Sequence, residues 1–332
     1  MDAIIHYLVI YSPTKKCSLN QEDSTYSARI LFKMCYRISE KHFWTGTMSI
    51  HFKNNFIRII ILVFFFIALS LWGFYWAIRP LKIVSSLTPR SLGLPFEKVA
   101  IRTADNILIR GWFIPNKNVK DKAIILLHGY PADKGDILPS RYFLHKKFNL
   151  LLIDFRYLGE SEGLYSTVGK NEILDVRAAI DYLHKRGIHQ IGIWGFSLGG
   201  AVALMTAQNT PAIKAVVAES SYSSLDKMAY DYFRIPLLQY PLGVLLRLWG
   251  KIFLGYDIKE VSPLKSAATL NIPLLIIHSR NDEVVSFSHA ELFRETLKDH
   301  VNIEFLFYDD LSHGQASKNY QKIIEDFFTK NL

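Results

Sequence analysis

Cysteine is scarce in this 332-residue chain, and the two that occur, Cys17 and Cys35, both lie near the N-terminus. Over the rest of the chain this excludes a disulfide framework and a metal site built from cysteine clusters. Internal repeats and low-complexity tracts are also lacking. About half of the residues are apolar, which at this length suffices for one large domain or two smaller ones.

An excess of charge of one sign is lacking beyond residue 95. The formal net charge is +9, but residues 1–95 carry 11 Lys plus Arg against 4 Asp plus Glu, whereas the remainder carries 28 against 26. This nearly neutral part has no basic stripe with interleaved aromatic residues, the pattern typical of nucleic-acid binding. We therefore expect no nucleic-acid partner.

One long stretch has no charged residue: the 20 residues from Ile59 to Ile78 are almost all apolar or aromatic. About 20 such residues are needed for an α-helix to cross the hydrocarbon core of a membrane. Trp72, Tyr75 and Trp76 cluster where an interfacial aromatic belt would lie. We therefore predict a single transmembrane helix over residues 56–79, and hence a membrane-bound protein.

Two alternatives to this anchor are a buried core helix, which rarely lacks a polar face, and a cleaved secretory signal. Ala68 and Ser70 would suit a cleavage site, but the apolar run continues past them. Residues 1–55 are predicted to be a disordered extension, or in part to precede the true start, since Met48 would begin an ordinary anchor. Basic residues flank both ends of the run, so the positive-inside rule leaves the orientation open. A start at Met48 would favour an extracytoplasmic catalytic domain.

Beyond a predicted stalk at residues 80–95, residues 96–332 have the pattern of one α/β domain. Alternating apolar residues on both sides of residues 104–106 predict a β-hairpin. Short, continuously apolar runs then alternate with helical stretches, which indicates a mostly parallel, doubly wound sheet covered on both faces. These runs are Ala123 to Leu127, Leu150 to Asp154, Gln190 to Trp194, Ala215 to Ala218, Pro273 to Ile277 and Glu304 to Phe307.

One connection, at about residues 222–268, is too long for a simple crossover and predicts a helical cap inserted over the carboxyl edge of the sheet, where ligands bind in such folds. Ordinary packing onto the sheet is the alternative. In a cap, the apolar side chains would line an acyl-sized pocket or dip into the bilayer. The pocket candidates are Phe233, Leu237, Leu238, Tyr240 and Trp249.

A glycine-flanked serine, Ser197, stands between an apolar run and a small-residue helical run. Its surroundings are Gly195-Phe196-Ser197-Leu198-Gly199-Gly200. Glycines two before and two after such a serine leave room for a strand and a helix to pass closely at a strained turn. The helix that starts at the serine would stabilise negative charge developing there. This pattern predicts a nucleophile.

A serine nucleophile needs a base that is itself oriented by an acid, and the chain supplies both in the order Ser, Asp, His. His313 follows the last apolar run, and Asp282 follows the run before it. Glu283, Asp309 and Asp310 are competing acids near these positions. His128 and His278, both at strand ends, are predicted to be structural. The backbone NH groups of Leu198 and Tyr130 are the predicted oxyanion donors.

Residues 96–330 thus resemble the α/β-hydrolase superfamily, and within it the membrane-anchored BEM46-like and ABHD13-like serine hydrolases. The resemblance lies in His128-Gly129-Tyr130, in Asp154 to Gly163, in the segment around Ser197, in Glu219 to Leu225, in Ser279 to Val285 and in Ser312-His313-Gly314. One departure is Tyr130-Pro131, where many relatives have a small or amide residue. The resemblance implies ester, thioester or amide hydrolysis through an acyl-enzyme, without metal or organic cofactor.

We therefore expect a membrane-anchored esterase or lipase-like enzyme acting on small or lipid-like acyl substrates. A thioesterase, a serine peptidase and a non-catalytic membrane-bound binding protein are the alternatives. The sequence leaves the oligomeric state open.

Overall fold

The computed structural model describes residues 26–232, 238–315, 317 and 319–332. The chain divides into two compact units, Met1–Phe66 and Ile67–Leu332. Helix α1, Tyr26–Ile78, crosses this division, so its last turns belong to the second unit. The part that is long and apolar enough to span a membrane is Phe52–Ile78, which covers most of the predicted segment 56–79.

Helix α1 begins at Tyr26, within the segment predicted to be a disordered extension. No proline interrupts this stretch, so the backbone hydrogen bonds of the apolar segment can continue toward the N-terminus. Residues 1–25 lie outside the described part.

The predicted stalk is held on the catalytic domain instead of projecting from it. The backbone NH and the hydroxyl of Ser85 donate to the Asp133 carboxylate at 2.8 and 2.5 Å. Lys82 Nζ donates to the Ser161 carbonyl at 2.9 Å. Sequence reasoning missed these bonds because each partner lies at least 48 positions away along the chain.

Eight strands form one sheet among the described residues, in the order β1-β2-β4-β3-β5-β6-β7-β8. Strands β1 and β2 are the predicted hairpin, β2 pairs antiparallel with β4, and all later pairs are parallel. Strands β3 to β7 are almost wholly buried, as expected for strands covered on both faces. Their bounds are β1 Glu97–Arg102, β2 Leu108–Ile114, β3 Lys122–Leu127, β4 Asn149–Ile153, β5 Gln190–Phe196, β6 Ile213–Glu219, β7 Leu274–Ser279 and β8 Ile303–Tyr308. The predicted α/β-hydrolase fold is therefore confirmed.

Helices cover both faces of the sheet. They are α2 Lys134–Arg141, α3 Glu172–Lys185, α4 Leu198–Ala207, α5 Leu225–Tyr232, α6 Gln239–Trp249, α7 Pro263–Ala267, α8 Ser288–Leu297 and α9 Tyr320–Asn331. Two apolar cores result: α3, α4 and α8 pack on one face, and α2 and α9 pack on the other. The connection between β6 and β7 is helical, as predicted, and contains α5, α6, a π-helical turn at Gly250–Leu254 and α7.

A buried histidine joins this insertion to α8. The backbone NH of Ser223 donates to His289 Nδ1 at 3.0 Å, so this nitrogen is an acceptor and the ring proton lies on Nε2, 3.2 Å from Asp231 Oδ2. Burial, assisted by the positive charge of Lys227, lowers the pKa of His289 to about 4. The folded protein thus holds a neutral histidine at a pH where an unfolded one would be charged.

The free energy of unfolding should therefore fall as the pH drops from ~6.5 toward 4, because the unfolded state then binds more protons. Between pH 7 and pH 5 this effect should lower the parent's free energy of unfolding by roughly 2 kcal/mol. His289→Asn, whose amide oxygen still accepts from Ser223, should not show this part of the loss. Urea unfolding of the full chain in detergent at both pH values measures this difference. His189→Asn, at an exposed histidine, should behave as the parent does. An unchanged pH dependence in His289→Asn would contradict the assignment.

Candidate active site

Ser197 lies at the turn between β5 and α4, in a backbone conformation with φ 53° and ψ −114°. Residues other than glycine rarely adopt this region of φ and ψ, because it costs on the order of 1–3 kcal/mol. The turn also brings strand and helix together: a Cβ on Gly195 would lie 2.1 Å from Gly199 O, and one on Gly199 would lie 2.5 Å from Leu127 O. Glycine is therefore required at both positions, because the neighbouring backbone lies too close for a Cβ, as the sequence pattern predicts.

Asp282 and His313, on the loops after β7 and β8, are hydrogen-bonded to each other, with 2.7 Å between Asp282 Oδ2 and His313 Nδ1. The other carboxylate oxygen accepts the backbone NH groups of Val284 and Val285 at 2.9 and 2.8 Å. Burial alone would raise the pKa of Asp282, but the bond and charge of His313, the Val285 NH and His278 together lower it. The carboxylate therefore stays charged and fixed in orientation.

Two of the competing acids, Glu283 and Asp309, have other partners. Glu283 accepts the backbone NH of His313 at 3.2 Å, and not a ring nitrogen. Asp309 pairs with Arg280 at 3.0 Å and is largely exposed. Of the acids considered from the sequence, Asp282 is the one hydrogen-bonded to the imidazole.

The imidazole of His313 packs on Phe196, the residue before the serine, with 4.7 Å between the ring centroids. A Cβ on Gly129 would lie 2.9 Å from the same phenyl ring. The ring of Phe196 thus lies between His313, the predicted base, and the loop after β3. Among the described residues, no hydrogen bond joins Ser197 to His313.

The loop after β3 is held by His128, which is fully buried. Its Nε2 accepts the backbone NH of Phe155 at 3.0 Å, so Nδ1 carries the proton and donates to Gly129 O at 2.7 Å. Burial is the main cause that lowers the pKa of His128 and keeps the ring neutral. His278 is likewise buried and donates to Val285 O at 2.8 Å. Both histidines make backbone hydrogen bonds, which agrees with their predicted structural roles.

The two predicted oxyanion donors lie on different elements. Leu198 is the first residue of α4, where backbone NH groups have no partner within the helix. Tyr130 lies on the loop after β3, and its phenol donates to the Ala77 carbonyl at 2.5 Å, at the end of α1. Burial raises the pKa of the Tyr130 phenol, so it remains a donor.

A buried ion pair missed by sequence reasoning lies next to the serine turn. Glu219 Oε2, at the end of β6, accepts from Arg141 Nη2 at 2.7 Å and from Trp194 Nε1 at 2.9 Å. The backbone carbonyl of Glu219 accepts the NH of Ser197 at 2.8 Å. The guanidinium of Arg141 also stacks on Trp194, at 4.4 Å. The sequence signal that could have revealed this pair is Glu219 itself, a charged residue at the end of the apolar run of β6.

The five predicted pocket residues have different surroundings. Phe233 and Leu237 lie outside the described residues. Leu238 and Tyr240 are exposed, and Trp249 Nε1 donates to Ser70 Oγ at 3.1 Å. The structure does not bring these three described side chains together at the serine, so the pocket stays a prediction. The described residues include no group of acids, histidines and cysteines able to hold a metal ion.

The strand order and the serine, acid and histidine positions define an α/β-hydrolase. The match to the prolyl oligopeptidase family covers residues 161–331, just over half of the chain, and the chain belongs to that family. Residues 77–240 also match the X-Pro dipeptidyl-peptidase (S15) family.

Individual relatives support the same superfamily and the predicted BEM46-like resemblance. The protein bem46 of Schizosaccharomyces pombe is 26% identical over 74% of this chain and 80% of its own length. The membrane protein YNL320W of Saccharomyces cerevisiae is 28% identical, with coverages of 72% and 82%. The solved structure of the Pyrococcus furiosus esterase Pf2001 is 29% identical, with a TM-score of 0.61 and coverages of 76% and 96%.

Replacing Asp282 by Asn should lower kcat/KM by roughly 10³–10⁴-fold, because an amide favours the wrong histidine tautomer and carries no charge. Hydrolysis of a p-nitrophenyl ester by the full chain measures the loss. The matched control is Asp309→Asn, at an exposed acid paired with Arg280, and it should retain parental activity. A large loss in the control and a small one in Asp282→Asn would assign the acid role to Asp309.

Proposed function

We propose that this α/β-hydrolase cleaves carboxylic esters through a covalent acyl-enzyme, with Ser197, His313 and Asp282 as its triad. The observation that carries the proposal is the 2.7 Å bond between Asp282 and His313, together with the strained, glycine-flanked turn at Ser197. The missing Ser197–His313 bond is compatible with this role, because catalytic hydrogen bonds are often long without substrate and tighten when it binds.

In the proposed reaction, Ser197 Oγ attacks the ester carbonyl carbon while His313 Nε2 takes the hydroxyl proton. The carbonyl π electrons move to oxygen, which the NH groups of Leu198 and Tyr130 stabilise. The tetrahedral intermediate then expels the alcohol, which receives the proton from His313. Water, deprotonated by His313, then attacks the acyl carbon. When this second tetrahedral intermediate collapses, the bond from the acyl carbon to Ser197 Oγ breaks, His313 returns the proton to Oγ, and the acid leaves. Asp282 stabilises the imidazolium in both halves.

A fluorophosphonate probe tests this assignment, because it phosphonylates an activated serine and not an ordinary hydroxyl. In membranes containing the full chain, the parent should be labelled and Ser197→Ala should not. Ser221→Ala, at a nearby buried serine, should label as the parent does. Absence of parental labelling, or equal labelling of Ser197→Ala, would favour the non-catalytic binding protein.

Peptide hydrolysis is the second candidate, and the match to the prolyl oligopeptidase family favours it. The similarity to the Pyrococcus furiosus esterase, over almost all of that chain, supports the ester assignment. We expect kcat/KM for p-nitrophenyl acyl esters to exceed that for aminoacyl p-nitroanilides by at least tenfold, on the order of 1.4 kcal/mol in barrier height. Equal or inverted values would favour the peptidase.

The membrane association proposed here rests on the span Phe52–Ile78 and on the similarity to a yeast membrane protein. A tether raises the local concentration of substrates that reside in the bilayer. Lipid-like esters are therefore the proposed substrate class.

A further inference from the structure

Helix α6 and the π-helical turn that follows it present an apolar stripe to the outside, formed by Tyr240, Val244, Leu248 and Ile252. These side chains are 62%, 56%, 45% and 57% exposed. They are spaced by four residues, so they share one face of the helix. Exposed apolar groups that are contiguous mark an interaction surface, whereas single ones need no explanation.

The charged group of this helix faces the other way. Arg247, the only charged residue of α6, lies 3.3 Å from Asp226 and 3.5 Å from Asp257, which places its charge against the protein. A helix that borders water normally has its charges outside and its apolar side chains inside. The distribution in α6 is inverted, which fits a helix whose outer face meets an apolar medium.

The apolar stripe continues onto the end of α1. Trp249 donates to Ser70 Oγ at 3.1 Å, and the rings of Phe253 and Phe74 are 6.1 Å apart. All of these residues belong to the second unit of the chain. Leu69, Trp72, Tyr75 and Trp76, in the same turns of α1, are also exposed.

The length of the apolar segment indicates the depth of these contacts. The 27 residues of Phe52–Ile78 extend ~40 Å as an α-helix, whereas the hydrocarbon core of a bilayer is ~30 Å thick. The surplus lies at the N-terminal end, because the charge-free run Ile59–Ile78 alone extends ~30 Å and Lys53 and Arg58 precede it. Ser70 and Phe74, which contact the insertion, lie ~6–12 Å from the end at Ile78. This is close to the depth at which interfacial helices bury their apolar face, and the exposed Lys251 can extend its amine to the phosphates.

We propose that the apolar stripe inserts into the surface of the bilayer that holds α1, giving the domain a second contact with the membrane. The occupant is lipid, because the stripe is continuous with the apolar face of a helix that is itself suited to lipid. Such interfacial helices bury their apolar face ~5–10 Å deep. This contact goes beyond the proposed catalysis and does not depend on Ser197.

Depth-dependent fluorescence quenching tests the proposal on the full chain. In a background of Cys17→Ser and Cys35→Ser, single cysteines are placed by Leu248→Cys, by Leu62→Cys within α1, and by Val301→Cys at an exposed apolar residue in the loop before β8. Each is labelled with an environment-sensitive fluorophore and reconstituted in phosphatidylcholine vesicles containing acyl-chain nitroxide lipids. Quenching at position 248 should be several-fold stronger than at position 301, and a blue-shifted emission should accompany it.

Quenching at position 62 but not at position 248 would overturn this inference and leave the anchor intact. Absence of quenching at position 62 would overturn the anchor, and the inference with it. Disulfide cross-linking between two chains at position 248, without quenching, would assign the stripe to a second copy instead. Fluorophosphonate labelling of the same samples is read separately, so loss of the proposed catalysis is distinguishable from loss of membrane contact.

A second variant removes the apolar character of the stripe without adding a label. Leu248→Glu should weaken quenching of a fluorophore at position 252, in the Ile252→Cys background, to the level seen at position 301. Leu164→Glu, at an exposed leucine outside the stripe, should leave it unchanged. Unaltered quenching in Leu248→Glu, in protein with parental circular dichroism, would contradict the proposal.

Discussion

The close crossing of β5 and α4 at Ser197 is the constraint on which the rest of the site depends. The backbone there is strained, and strain persists only where the surroundings over-determine the conformation. Two features supply that restraint: the bond from the NH of Ser197 to the Glu219 carbonyl, and the lack of space for any Cβ at Gly195 or Gly199. A larger residue at either glycine would have to move a strand in the middle of the sheet, not a surface loop.

Buried polar groups extend this restraint away from the serine. Glu219 anchors the turn through its carbonyl, and its carboxylate is neutralised by Arg141 and hydrogen-bonded by Trp194. Removing one partner of such a pair is costly, since it leaves an uncompensated buried charge. His128 acts similarly on the neighbouring loop, where a single neutral ring fixes both the Phe155 NH and the Gly129 carbonyl. The turn and the loop after β3 thus owe their geometry to side chains that need not touch a substrate.

Much of this architecture follows from local sequence. The apolar runs predicted the parallel strands, because strands covered on both faces have no polar alternation, and residues 104–106 predicted the hairpin. Sequence order predicted Asp282 as the acid but left Glu283 as a competitor, because adjacent acids differ only in direction: one carboxylate meets the imidazole and the other the backbone NH. The packing of residues 80–95 and the Arg141–Glu219 pair depend on partners distant in sequence, which periodicity does not reveal.

The last turns of α1 are held by hydrogen bonds from the catalytic domain. Besides Tyr130, which bonds the Ala77 carbonyl, Tyr157 donates to the Pro80 carbonyl at 3.0 Å, and the NH of Ser166 donates to Ile78 O at 2.9 Å. The bonds to the carbonyls of Ala77 and Ile78 satisfy groups that a helix end would otherwise leave without partners. Tyr130, which lies on the loop proposed to supply an oxyanion donor, thus also binds the end of α1 through its phenol.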